Sequence, residues 1–176
     1  VLTTTSFGQT HAAGALWTSL TTTTNVIADI NTATAVVLAN AGVKPNLMVI
    51  PQQSWHNGLK EQPNIIEKIK YSERAVITTD MIASVFDINK VLVGSCIYDA
   101  AKDEIAVSTT YIWDANTFVG YIEPSPGIRK ISSGYTFNLA SKGSPYKVKK
   151  WREEKRGGDL IEGSTMYQPK AVATLC

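Results

Sequence analysis

Side chains that could act as nucleophiles or metal ligands are sparse in this sequence. Its 176 residues include two cysteines, Cys96 and Cys176, and two histidines, His11 and His56. These four residues are widely separated and share no motif spacing, so they predict neither a disulfide framework nor a zinc site. Cys96 lies within an apolar, strand-like stretch, and we expect its thiol to be buried and inert.

The carboxylates and glycines do not form a recognisable catalytic or nucleotide-binding motif either. Residues 99–104 carry three carboxylates, but they lack the register and the distal glutamate of a calcium loop, so a solvated turn is the better interpretation. There is no Gly-x-Gly-x-x-Gly after a strand and no Gly-Lys-Thr loop. We therefore predict no catalytic residues, no metal and no cofactor.

One segment is strongly basic. Residues 142–156 carry an excess of five positive charges, with Tyr146 and Trp151 interleaved among lysines and arginines. Such a pattern is compatible with a nucleic-acid surface. Because Glu153 and Glu154 lie inside the run and the whole chain carries only +2, solvated charge or charge between subunits is the preferred interpretation.

The composition limits the classes of protein to which this chain can belong. With 44% hydrophobic and 18% charged residues, the chain can bury one proper core without a metal or a disulfide. No run of about 18 apolar residues predicts a membrane span, and no signal peptide is recognisable. The sequence begins with Val1 rather than methionine, which suggests a processed or trimmed product.

The apolar run between Pro45 and Pro51 predicts the buried central strand of the fold. It follows a predicted helix over 25–41 that is capped by Thr24 or Asn25 and stopped by Gly42. We predict a short helix over 52–59 and a helix that begins at Pro63. A brief strand over 75–77 and a helix over 79–86, capped by Thr79-Asp80, follow.

From residue 89 the apolar period changes to two, which predicts a β-rich second half. We expect strands over 90–98 and 105–113, with 117–122 pairing back on the second through a hairpin loop at 114–116. Tyr111 and Trp113 would then face Phe118 and Tyr121. A break falls at 124–127, a turn at Gly157-Gly158, and a last edge strand over 166–175. The predicted fold class is α+β, a mixed α/β core with added strands.

The order of these motifs resembles the C-terminal portion of the major capsid proteins of tailed bacteriophages and prophages, which have the Hong Kong 97-type shell fold. The resemblance runs from Trp17 to the C-terminus. Its motifs, in order, are Leu16-Trp17, Asn25-Val26-Ile27-Ala28-Asp29-Ile30, Gly42-Val43-Lys44-Pro45-Asn46-Leu47-Met48-Val49-Ile50, Trp55, Leu59, Gln62-Pro63-Asn64-Ile65, the helix over 79–86, Val91-Leu92-Val93-Gly94 and Tyr111-Ile112-Trp113.

The resemblance implies that residues 25–131 form the axial domain, with a mixed sheet and flanking helices. Residues 132–176, together with an arm and connector over 1–24, would belong to the peripheral domain. It also implies a structural protein of the virion, not an enzyme, made in the bacterial cytoplasm. Its partners would be further copies of itself in pentamers and hexamers of an icosahedral shell, the packaged double-stranded DNA indirectly, and a scaffold or protease during assembly, with no membrane.

Exposed charge at loop and edge positions gives the candidate inter-subunit contacts: Tyr71, Glu73 and Arg74 around an axis, and Lys149 and Arg152 between capsomers. Three alternatives stay open. One is a bacterial nanocompartment shell protein of the same fold. Another is a small α/β enzyme using Asp80, His56 or Cys96. The last is a DNA-binding module using residues 147–156.

Overall fold

The computed structural model of the protein describes residues 17–19, 24–70, 76–102, 106–113, 116–138, 146–155 and 157–173. It confirms a mixed helix and sheet fold. The helices are α1 (Val26–Ala41), α2 (Gln52–Ser54), α3 (Pro63–Ile69) and α4 (Thr79–Phe86), and α2 continues into a π-helical turn over Trp55–Leu59. In the described part of the chain, no helix is long and apolar enough to cross a membrane.

The predicted central strand, β1 (Leu47–Pro51), is central in the structure. It pairs in parallel with β2 (Lys90–Gly94) and antiparallel with β5 (Phe118–Gly120), giving the order β2-β1-β5. Strands β1 and β2 are parallel because the intervening helices carry the chain back across the sheet, as a parallel connection requires. A single short apolar strand thus organises both halves of the chain.

One face of this sheet carries the core. Met48 and Ile50 of β1 are fully buried, and Val91 of β2 lies beside Met48 in the register. The helices pack onto the same cluster through side chains at helical spacing. The buried hydrophobic residues of the cluster are Val26, Ile30, Met48, Ile50, Trp55, Leu59, Ile65, Ile69, Ile82, Ala83, Phe86, Ile88 and Val91.

The limits of the helices follow from capping chemistry. The side chain of Asn25 accepts a hydrogen bond from the N–H of Ala28 at 3.1 Å, and Gly42 ends α1 in the left-handed conformation, both as predicted. For α4 the predicted cap is one residue late, because the hydroxyl of Thr78 accepts from the N–H of Met81 at 3.4 Å. Val76 and Ile77 do not form the predicted strand; they lead as irregular chain into this cap.

Trp17, which precedes α1 in the chain, is held against the π-helical turn. The indole of Trp17 donates to the Asp29 carboxylate at 3.0 Å, and the amide of Gln62 donates to the carbonyl of Trp17 at 2.9 Å. Gly58 faces the same carbonyl so closely that a Cβ there would lie 2.9 Å from its oxygen. The connector predicted from sequence is therefore fixed to the core at this point.

The strand predicted over 90–98 is wrong in one respect: it is two strands. β2 ends at Gly94, and β3 (Ile97–Asp99) pairs instead with β4 (Thr109–Tyr111) in a separate two-stranded sheet. A Cβ on Gly94 would lie 3.2 Å from the Cβ of Trp113, so the chain there accommodates the tryptophan. Cys96 lies in the break and is exposed, which contradicts the predicted buried thiol.

The predicted hairpin between 105–113 and 117–122 is also wrong. Strand β5 pairs with β1 instead of β4, so it reaches the central sheet. The side chain of Asn46 fixes this arrangement, because it accepts from the N–H of Ile122 at 2.9 Å and donates to its carbonyl at 2.7 Å. Burial against the apolar central strand outweighs the local aromatic pairing that the sequence favoured.

The carboxylate of Asp99 serves its own loop and is not arranged as a cation ligand. It accepts hydrogen bonds from the N–H groups of Ala101 and Ser108, both at 2.9 Å. These bonds, that of Ala101 first, hold the pKa of Asp99 below its ordinary value. Both bonds stay within the loop where the sequence predicts a turn; Asp103 and Glu104 of that turn lie outside the described residues.

The C-terminal part consists of two further antiparallel pairs. β6 (Gly134–Asn138) pairs with β9 (Tyr167–Ala171), and β7 (Tyr146–Glu153) pairs with β8 (Gly158–Thr165). Gly157 has a φ of 64°, the left-handed conformation that the predicted Gly157-Gly158 turn needs. Pro169 lies in the last strand, which belongs to a two-stranded sheet, in keeping with an edge position.

Candidate assembly surfaces

The β7–β8 hairpin is a long, largely exposed ribbon. Each of its strands has eight residues, and all of the β7 side chains except Glu153 are exposed. Its large apolar side chains are exposed as well: Tyr146 by 68%, Val148 by 71% and Ile161 by 68%. A two-stranded ribbon has no core of its own and is at best marginally stable in water. These side chains therefore mark a surface that is suited to contact with another surface.

Charge is divided between the two strands of this hairpin. β7 carries Lys147, Lys149, Lys150 and Arg152 against Glu153, whereas the charged residues of β8 are the acidic Asp159 and Glu162. The ammonium of Lys150 lies 3.0 Å from the carboxylate of Asp159. The hairpin therefore presents a basic strand and an acidic strand side by side.

A cluster of polar side chains lies in and beside the loop between β5 and β6. The Glu123 carboxylate accepts from the ammonium of Lys130 at 2.9 Å and from the hydroxyl of Tyr121 at 2.9 Å. The hydroxyl of the buried Ser133 donates to the carbonyl of Tyr121 at 2.8 Å. Glu123 thus ties the end of the central sheet to the segment that enters β6.

We expect this cluster to make stability depend on pH in the acid range. The hydrogen bond from Lys130, and then that from Tyr121, holds the pKa of Glu123 below the ordinary value of 4.5. Its contribution is therefore fully present above the unfolded-state pKa and is lost as pH falls through the lower folded-state pKa. Melting temperatures between about pH 3 and 6 should fall less steeply for Glu123→Gln than for wild type. Identical slopes would contradict this role.

The structure places two of the five predicted contact residues. Lys149 and Arg152 are exposed on β7. Tyr71, Glu73 and Arg74 lie outside the described residues. The acidic residues of β8 were not predicted, although the Gly157-Gly158 turn was a signal that Asp159 and its neighbours would fold back beside the basic segment.

The residues named for the enzyme alternative do not form a cluster. His56 is exposed in the π-helical turn, Asp80 is exposed in the first turn of α4, and Cys96 is exposed between β2 and β3. Across the described ranges, no three His, Cys, Asp or Glu side chains come together as a possible metal site. Asp80 borders an open pocket whose other lining residues belong to α4 and the chain just after it, and neither His56 nor Cys96 lines this pocket.

No family model matches the chain. The chain is 32% identical over 131 residues to the major capsid protein of Burkholderia phage BcepMu, a match that covers 73% of this chain and 40% of that protein. The chain thus spans less than half the length of this curated relative.

The second match is a solved structure. A phage-related protein from Bordetella bronchiseptica RB50 superposes with a TM-score of 0.76 at 24% identity, over 93% of this chain and 52% of that one. At this identity the likeness shows a shared fold. The sequence match confirms the predicted resemblance to phage major capsid proteins. The chain is homologous to a segment of a phage major capsid protein.

Proposed function

We propose that this chain is the C-terminal portion of a phage or prophage major capsid protein with the Hong Kong 97-type fold, and that copies of it assemble into an icosahedral shell around the DNA genome. The role is structural and has no chemical step. The observation that carries the proposal is the 32% identity to the BcepMu capsid protein over 73% of the chain.

The structure supports assembly independently of that relative. Exposed large hydrophobic side chains recur on the strands outside the central sheet, among them Tyr146, Val148, Ile161 and Tyr167. Exposed apolar side chains that are grouped on one element, as on the β7–β8 hairpin, are typical of protein–protein contact sites. A subunit that is surrounded by copies of itself has partners for such sites on several sides.

The proposal divides the chain into two parts. Residues 25–131, which contain the β2-β1-β5 sheet and its helices, form the axial domain, and the β6–β9 and β7–β8 pairs belong to the peripheral domain. Contacts around an axis involve Tyr71, Glu73 and Arg74, and contacts between capsomers involve Lys149 and Arg152. The particle forms in the bacterial cytoplasm with a scaffold or a protease as assembly partner.

Sedimentation of the full-length gene product tests the proposal. Shells sediment as one fast, uniform boundary, far ahead of a monomer, and nuclease-protected DNA inside them would identify a genome container. Uniform shells filled with an enzyme would instead favour the nanocompartment alternative. A gene product that stays monomeric, alone and together with the proteins encoded beside it, would contradict the shell function.

A further inference from the structure

The β7–β8 hairpin has two strand edges that differ in charge. Within the described ranges, β7 pairs with β8 and neither strand has a second neighbour. β7, which carries Lys149 and Arg152, forms one edge of the hairpin. β8, which carries Asp159 and Glu162, forms the other edge. Strand edges have unpaired backbone groups that can accept another strand.

The hairpin's own register shows which strand would fit beside β8. Lys149 stands opposite Glu162, Arg152 stands opposite Asp159, and Trp151 stands opposite Leu160. Side chains directly opposite each other on antiparallel strands lie about 5 Å apart, and opposite charges there are favourable. A strand can pair on both of its sides. If the β7 strand of a second copy paired with the outer side of β8 in the same register, its side chains would therefore stand opposite the same complementary side chains of β8.

The sign of the charges distinguishes this surface from a protected edge. Proteins commonly block edge pairing with lysines and other charges. Like charges on both edges would repel every incoming copy, whereas here β7 repels only another β7 and attracts β8. The favoured contact is thus heterologous, with different surfaces of each copy meeting, and such contacts close into rings when the rotation allows it.

We propose that the β7 edge of one subunit docks on the β8 edge of the next, so that the hairpins of neighbouring copies form a continuous antiparallel sheet. The partner is a second copy of this chain, and the inference rests on the self-assembly proposed above. Lys149 of one copy lies beside Glu162 of its neighbour, and Arg152 lies beside Asp159.

Single charge reversals test this contact in the full-length gene product. Lys149→Glu places like charges across the contact and beside Glu162 of its own chain, and Glu162→Lys does the same with opposite sign. Each variant should reduce the fraction in large assemblies by roughly tenfold, because the repulsion recurs at every copy of the contact. The matched control Lys68→Glu, on the exposed side of α3, should assemble like wild type.

Mixing the two variants separates the contact from a fault inside the hairpin. In an equimolar mixture, the altered β7 of one variant meets the altered β8 of the other with opposite charges, while the repulsion within each chain remains. Mixing should therefore restore assembly toward the wild-type fraction, and the double variant Lys149→Glu/Glu162→Lys should assemble as well.

If wild type and Lys68→Glu form shells, any of three results would overturn the inference. The first is normal assembly of both single variants, and the second is a mixture that does not recover assembly. The third is a Lys149→Glu variant that forms unchanged shells but loses DNA retention. The last would assign β7 to nucleic acid. If wild type itself forms no assemblies, the proposed function fails, and this inference fails with it.

Discussion

Replacing Ile50 by alanine should lower the free energy of unfolding by about 2–5 kcal/mol. Ile50 is completely buried in the central strand and stands beside Val93 of β2 in the register. The substitution removes three methyl or methylene groups from the layer between the sheet and its helices. The surrounding side chains come from several elements and cannot all close the cavity, so the loss includes the cavity term as well as the transfer term.

Urea unfolding of wild type and Ile50→Ala measures this loss of free energy. Ile66→Ala is the control, because it makes the same substitution at an exposed position. Ile66 lies on α3 with 42% of its surface exposed. Its replacement should change the free energy of unfolding by no more than about 0.5 kcal/mol, because an exposed site leaves no cavity and alanine favours a helix. Equal losses at the two positions would contradict the assignment of β1 as the buried centre of the fold.

Gly58→Ala should destabilise the protein by about 1–3 kcal/mol, although alanine usually favours a helix over glycine. The new Cβ would lie 2.9 Å from the carbonyl oxygen of Trp17 and 3.2 Å from its carbonyl carbon. Both are backbone atoms, so the connector itself must move. That movement also weakens the hydrogen bonds from Trp17 to Asp29 and from Gln62 to the Trp17 carbonyl.

Gly163→Ala is the control for this substitution. Gly163 lies in β8, and a Cβ added there would have no neighbouring atom within 4 Å, so alanine fits without displacement. Its effect on the urea midpoint should correspond to about 0.5 kcal/mol or less. A stabilising Gly58→Ala would show that the segment around Trp17 is not seated on the π-helical turn.

The helical half of the fold was predictable because its signals are local. Asn25 and Gly42 have the side-chain and backbone properties that begin and end a helix, and Pro63 opens α3 at a position where its missing N–H costs nothing. The central strand was equally predictable, because it is a short apolar run between two prolines. Each of these elements needs only its own residues to be recognised.

The strand pairing was less predictable because it depends on distant residues. The sequence near Phe118 favours a local hairpin, yet the strand pairs with β1, and two hydrogen bonds between Asn46 and Ile122 support that pairing. The same applies to Cys96, whose exposure follows from the end of β2 at Gly94. Of the candidate site, the basic segment was predicted from the sequence, but the acidic strand beside it follows only from the strand pairing.

Electron cryomicroscopy of the full-length gene product, expressed with the proteins encoded beside it, tests the central proposal most directly. We expect closed, uniform icosahedral shells in which this chain repeats around five- and six-fold positions and the β7–β8 hairpins of neighbouring copies meet. Dispersed small particles under those conditions, or an assembly without icosahedral symmetry, would contradict a shell function.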